Sequence, residues 1–292
     1  MSKEKNPIID QLLGRASCRA FEDRQVEQQV LDTILSASIQ APSGGNIQPW
    51  SVIVLQDVEN RKRMAEYCGG DAFIHNAPVN MLFCMDWNKI ERMSRLHMAP
   101  FAATHSLTHF LIAFMDTVIA AQTAVTAAEA LGLGCVFVGT PVYAITGISE
   151  AFHLPKGVLP VLLVVAGYPR FKLDVQKKSS VEIMVFHEQY PQLSDEVLRD
   201  AFSEKFGRYQ FPLDEEKMAA IYQSAKDTSG AEYADMCIES IRQAGAINML
   251  QFGFGLHYRA DEMVARNPEL MEAITAQGFG IFQNGMQPDK HE

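Results

Sequence analysis

Apolar residues recur along the chain with two periods, and the switching between them lays out the elements. Ile8, Ile9, Leu12 and Leu13 stand at helical spacing and predict a short first helix ended by Gly14. Val26, Val30, Leu31, Ile34 and Leu35 predict a second, closed by Ala41-Pro42-Ser43-Gly44-Gly45. Residues 50–55 (WSVIVL) form a β-branched run with the pattern of a buried strand. Residues 58–67 are polar and predict a helix; 79–85 predict another strand. Residues 110–131 predict a long helix stopped at Gly132 and Gly134. Residues 135–138 and 159–166 predict two more strands, and 169–180 a polar, basic loop.

From residue 191 the character changes. No strong strand is expected again, and 195–206, 215–225, 231–249 and 261–276 read as helices, with Gly230 and Asn267-Pro268 as punctuation. Residues 251–258 (QFGFGLHY) alternate glycine with large apolar groups and suit a sharp turn. Strands and helices are mixed without strict alternation, which favours an α+β sandwich over a doubly wound parallel sheet.

Residues 110–131 have the length of a bilayer span, but Asp116, Gln122 and Glu129 interrupt them. Their many alanines suit close packing, in the core or at a subunit interface. With 48% hydrophobic and 21% charged residues the composition is that of an ordinary globular protein. A formal net charge of −10 argues against general nucleic-acid binding but leaves room for a local basic pocket. The five cysteines are scattered, with no C-x-x-C, so Cys-metal sites are not expected and a reducing cytoplasm fits best. The polar start runs directly into an amphipathic stretch, and no secretory signal is expected.

Two stretches carry chemistry. Arg15-Ala-Ser17-Cys-Arg19 places two guanidinium groups and a hydroxyl close together just after a glycine stop. A loop would let all three converge on a phosphate, for which forked Arg donors are suited. The competing reading is a solvated basic turn paired with Glu22 and Asp23. Pro42-Ser43-Gly44-Gly45-Asn46-Ile47-Gln48-Pro49-Trp50 combines glycines, which let backbone approach a ligand, with uncharged donors and acceptors suited to a flat heterocycle or a polyol. It also reads as a plain helix-to-strand loop. His105 and His109 stand at i,i+4 but lack the Glu of a zinc helix, and no P-loop, nucleophile elbow or Rossmann fingerprint is present. Cys135 reads as a small buried apolar residue.

Together, R-x-S-x-R followed by P-S-G-G-N-x-Q-P-W resembles the FMN-dependent nitroreductase/flavin reductase family. His75-Asn76-Ala77-Pro78 before a strand, Asp116 to Gln122 and Ala128 to Gly134 along the long helix, Val138-Gly139, Gly167-Tyr168-Pro169 and Val185 to Tyr190 agree with it. The resemblance covers roughly residues 7–190 and implies an α/β sandwich with a mostly antiparallel central sheet flanked by helices. It implies a homodimer with FMN at the subunit interface and NADH or NADPH as donor. The small planar acceptors it implies are nitroaromatics, quinones or flavins, reduced by a ping-pong mechanism. By the family pattern Arg15, Ser17, Arg19 and Lys178 would hold the FMN phosphate. Pro42, Ser43, Gly44, Asn46 and Gln48 would come near the ring and ribityl chain, often from the partner subunit. Asn76, Val138, Gly139 and Thr140 would line the flavin.

The chain departs from the pattern twice. Gln176-Lys177-Lys178 stands where relatives often carry Lys-x-Arg, and about a hundred residues after Tyr190 match no family motif. The expected organisation is a flavin-binding core over 1–190 and a helical extension over 191–292, acting as a cap or a dimer wrap. A reductive dehalogenase or ene-type reductase on the same scaffold, and a flavin-binding protein without turnover, stay open as alternatives.

Overall fold

The computed structural model describes residues 6–282. Four strands, β1 (Trp50–Leu55), β2 (Val79–Asp86), β3 (Gly134–Val138) and β4 (Val158–Gly167), form one sheet in the order β1-β2-β4-β3, antiparallel throughout. Alternation along β2 explains the layers. Met81, Phe83 and Met85 enter one core and Leu82 and Cys84 the other, with a register shift between Phe83 and Cys84. Both faces are therefore covered, and the strands read as continuous apolar runs.

Helices α1 (Pro7–Leu13), α2 (Gln28–Ile39), α3 (Val58–Tyr67), α4 (Ala72–Asn76), α5 (Asn88–Leu96), α6 (Leu107–Ala130) and α7 (Ile145–Ala151) surround this sheet. Three of them, α1, α3 and α6, start on a side-chain cap. Asn6 accepts from the amides of Ile8 and Ile9, Asp57 from Asn60, and Ser106 from His109. The sequence did not announce α4, α5 or α7, which are short, at five, nine and seven residues.

Helix α6 is buried on one side only. Ala113, Asp116, Thr117, Ala120, Ala121, Ala124, Val125 and Ala128 face the core. Leu107, Leu111, Phe114, Met115 and Ile119 face outward, each at least 40% exposed. Among the described residues it is the one helix long and apolar enough to cross a membrane, yet its small-residue face packs on the sheet. The expectation of burial nearly all round thus holds within one chain for one face only.

The chain divides into two compact units, one up to Val175 plus the part from Leu270, the other Gln176–Glu269. The expected boundary lay at 190, with the whole tail outside the core. The tail's end instead belongs to the first unit because it has apolar anchors there: Ile274 and Phe279 are buried in the first core, and Phe279 meets Phe110 edge-on at 5.7 Å. Gln277 Nε2 donates to the carbonyls of Leu154 and Pro155, and Gly280 N–H to Thr104.

The second unit holds α8 (Val181–Met184), α9 (Asp195–Phe206), β5 (Gln210–Phe211), α10 (Glu215–Ser229), α11 (Ala231–Ala244), β6 (Ile247–Asn248), α12 (Met249–Phe252) and α13 (Ala260–Ala265). α14 (Asn267–Ala276) runs across the division. Its core is small, built on Met218, Ile221, Ile241 and Ile247. The helix expected over 231–249 stops at Gly245, which takes a left-handed conformation, and a two-stranded ribbon pairs Phe211 with Ile247. The turn expected over 251–258 is helical: α12 continues into a π-helical turn, Gly253–His257, where Gly255 lets the backbone approach Ile221.

Candidate functional site

The segment after α1 is a loop, without helix or strand, that runs along the sheet edge. Ala16 and Cys18 point into the core, and Arg15, Ser17 and Arg19 stand on the opposite side, as a period of two requires. The three polar groups thus share a face by alternation. Cys18 N–H donates to the Cys135 carbonyl at 2.9 Å, which lays the segment along β3. Gly134 makes this approach possible, since a Cβ there would lie 2.6 Å from that of Cys18.

Arg15 is the most informative group. Its Nε lies 3.4 Å from Glu129 Oε1, and its guanidinium sits 5.7 Å from the Phe137 ring centroid. The ion pair completes no hydrogen bond: Arg15 Nε and Nη2 and Glu129 Oε1 are all buried without a partner. Burial pushes the Glu129 carboxyl up, and Arg15 partly offsets this. Arg19 stands exposed over Phe73 of α4, 6.0 Å from its centroid. A cationic fork with open donors is the donor set that phosphate oxygens fit, so the residues present suit a phosphate-bearing cofactor such as FMN.

The loop from Pro42 to Gln48 is built differently. It makes a short turn over Gly44–Asn46, with Gly45, Asn46 and Gln48 in left-handed conformations at φ 58°, 56° and 53°. Gly44 N–H donates to both carboxylate oxygens of Asp116, at 3.2 and 3.1 Å. Ser43 Oγ accepts from Gln48 N–H at 3.2 Å, and Gln48 Nε2 donates to the Ile39 carbonyl at 2.7 Å. Ser43 and Gln48 therefore shape the loop, while the Asn46 side chain is exposed. A Cβ at position 44 would come within 2.8 Å of Ile112 Cγ2, so glycine is required there.

Val138 is buried at the end of β3; Gly139 is exposed, with open space where a Cβ would stand, and Thr140 opens the next turn. Asn76 ends α4 on a polar cleft of about 170 Å³ shared with Arg24 and Arg61. Arg15 over Phe137 and Arg19 over Phe73 bring the phosphate-type strip to β3 and to α4, the elements that carry these residues.

The loop is set apart within one chain. It is tied to α6 at Asp116, whereas Arg15 is tied to α6 at Glu129, and that stretch of helix spans about 20 Å. Lys178 is exposed in the second unit, where Lys177 pairs with Glu204 at 3.1 Å and Gln176 accepts from Arg208 and Tyr209.

In the sequence Asp116 and Glu129 were interruptions of an apolar helix, inside stretches that match the family's central helix, with no role of their own. The structure makes them the anchors of the two clusters. Phe73 and Phe137 carried no local signal. Cys18 and Cys135 are buried, and burial pushes both thiols up, which disfavours the nucleophilic thiolate. No cluster of three or more His, Cys, Asp or Glu suited to a metal occurs among the described residues.

An antiparallel four-stranded sheet between helical layers defines an α+β protein, and a cationic strip lies along its edge strand. The Nitroreductase family pattern matches residues 12–168, and the chain belongs to that family. It is 36% identical over 190 residues to FMN reductase [NAD(P)H] of Bacillus subtilis, covering 63% of this chain and 75% of that protein. It is 31% identical over 204 residues to the oxygen-insensitive NADPH nitroreductase of Salmonella typhimurium, covering 70% and 82%. Among solved structures it is similar to the hypothetical oxidoreductase YcnD from Bacillus subtilis. There the TM-score is 0.73 and the identity 29%, with 95% of this chain and 99% of that one covered.

Proposed function

We propose that the protein is an NAD(P)H-dependent FMN oxidoreductase that reduces small planar, electron-poor acceptors such as nitroaromatics, quinones or flavins. The observation that carries this reading is the buried, hydrogen-bond-deficient guanidinium of Arg15 beside Ser17 and Arg19. Family membership supports it, and so do relatives named as FMN reductase and NADPH nitroreductase.

Arg15, Ser17 and Arg19 bind the FMN phosphate, and Lys178 is proposed to join them. Asn76, Val138, Gly139 and Thr140 line the ring. The Pro42, Ser43, Gly44, Asn46 and Gln48 loop comes from the partner of a cytoplasmic homodimer, because within one chain it lies about 20 Å along α6 from the Arg15 anchor. The exposed apolar stripe of α6 supports pairing, since contiguous exposed apolar side chains on one helix face mark interaction surfaces. FMN, when bound, supplies the hydride chemistry; the protein positions it and admits donor and acceptor in turn, which gives ping-pong kinetics. No side-chain nucleophile is needed for this.

The second unit is proposed to shape acceptor choice. Phe254 and Tyr258 are exposed, while Phe252 stacks between Phe211 and His257. Phe254→Ala should leave the melting temperature nearly unchanged and alter kcat/KM unequally among acceptors of different size. Steady-state NADH and NADPH oxidation with a nitroaromatic and with a quinone tests the main reading. Parallel double-reciprocal lines are expected; absence of turnover by FMN-loaded protein with every acceptor would leave a binding protein instead.

A further inference from the structure

Helix α5 turns one face toward a cleft of about 370 Å³. Asn88, Glu91, Arg92 and Arg95 line it and recur at i, i+3, i+4 and i+7, the spacing of a single helical face. The other walls come from three separate segments: Thr104-His105, Lys156-Gly157 and Gly278. Asn88 Nδ2 donates to the Lys156 carbonyl at 2.9 Å and fastens two of these walls together.

The charge of this cleft opposes that of the chain. Arg92, Arg95 and Lys156 face one carboxylate, Glu91, in a protein of net charge −10. Glu91 is engaged with Arg95 at 2.5 Å. Lys156 Nζ donates to the Ala276 carbonyl, and His105 Nδ1 lies 3.2 Å from the buried Thr104 Oγ1. Arg92 has no hydrogen bond or ion pair with any described residue. A forked cation without a partner, flanked by two further cations, is suited to oxygen-rich anions. The volume is of the size that accepts a small molecule rather than a single ion.

We propose that this cleft binds a phosphoanion of the pyrophosphate class, with Arg92 as its principal contact. The site is separate from the Arg15 strip of the same chain: Thr104-His105 lies just before α6 begins, and Glu129 stands near the other end of that helix, a span of roughly 35 Å. The ligand would also brace the chain's end. Lys156 and Gly157 hold the Ala276 and Gln277 carbonyls, and Gly278 packs against them in a conformation, φ 95°, that favours glycine. The phosphoanion is either free or part of the donor nucleotide; the test separates the two.

Inorganic pyrophosphate is titrated calorimetrically into the full-length protein at matched ionic strength, with and without added FMN. Saturable binding of one per chain, unchanged by FMN, is expected. Arg92→Gln should weaken it about tenfold and Arg92→Lys less. Arg63→Gln, which removes an equal charge from the exposed side of α3, should leave it unchanged. Titration with NADP⁺ assigns the source. A matching loss in Arg92→Gln places the donor's phosphates here, and NADP⁺ binding indifferent to the substitution assigns a free phosphoanion. Absence of saturable pyrophosphate binding, equal losses in the Arg63 and Arg92 variants, or displacement by FMN would overturn the proposal. None of these readouts requires turnover, so failure here and failure of the oxidoreductase reading are distinguishable.

Discussion

The two clusters anchored on α6 contain similar polar chemistry and differ in whether it is satisfied. In the Pro42–Gln48 loop most donors are consumed at home, the exposed Asn46 amide apart: Gly44 N–H by Asp116, Gln48 N–H by Ser43 and the Gln48 amide by the Ile39 carbonyl. In the Arg15 strip they are not, and two buried guanidinium nitrogens lack a partner. Buried polar groups are normally paired, and this deficit is the observation behind the proposed phosphate site. The satisfied cluster holds a shape; on the proposed reading the unsatisfied one binds the cofactor, and a second chain brings the loop to it.

The largest effect should come from separating the chains. Leu111→Asp/Met115→Asp places charge on the outward stripe of α6 and should convert a dimer to monomers in light scattering, with loss of bound FMN. FMN retained by the monomer would mean that each chain carries a complete site.

Next is the unsatisfied strip itself. Arg19→Ala should weaken FMN binding by roughly ten- to a hundredfold, the worth of a charge-assisted bond to phosphate. Arg24→Ala is the contrast, because Arg24 is already engaged, stacked 3.8 Å over Tyr168 and paired with Glu27 at 2.7 Å. FMN titration by flavin fluorescence should show little change there, and equal losses would mean that general charge rather than a site is at work.

The satisfied cluster should respond through stability. Gly44→Val drives a side chain into Ile112 and should cost ~1–3 kcal/mol in urea denaturation, as overpacking does. Gln48→Ala removes one internal bond and should cost about 1 kcal/mol. A large fall in FMN affinity at undiminished stability would reverse the comparison for Gln48.

The smallest effect is one of pH. Burial holds the Asp116 carboxyl above its ordinary 3.8, against the lowering influence of Gly44 N–H. The folded chain then binds more protons at this position than the unfolded chain. Its contribution is fully present below 3.8 and is lost as pH rises through the raised value. Comparing urea midpoints of wild type and Asp116→Asn across this window should show the variant losing that downward slope.

How much of this was legible depends on whether the information was local. The strands at 50–55 and 79–85 are continuous apolar runs and the helix at 58–67 a polar stretch, patterns carried locally, and the structure reproduces them within a residue. The Arg15-Ser17-Arg19 and Pro42–Gln48 motifs were legible as polar groups around glycines. Their conformations were not, because the strip is laid along β3 by a hydrogen bond to Cys135, far away in sequence, and the loop is pinned by Asp116. Asp116 and Glu129 look like blemishes in an apolar helix until their partners are placed beside them. In the second unit a core of four buried residues gives weak periodicity, and the breaks at Gly245 and Arg266 split helices that the pattern runs together.

On the proposed reading, one chain's Arg15 strip and the other chain's Pro42–Gln48 loop complete each FMN site. Mixing two defective variants tests it most directly. Arg15→Ala/Arg19→Ala breaks the strip, and Ser43→Ala/Asn46→Ala/Gln48→Ala breaks the loop. In a mixed dimer one site would receive both defects and the other neither. After the two are unfolded and refolded together in equal amounts, FMN titration should recover high-affinity sites amounting to about a quarter of the wild-type number, as random pairing requires. A mixture that binds FMN no better than its parents would contradict the claim and place both clusters' contributions within a single chain.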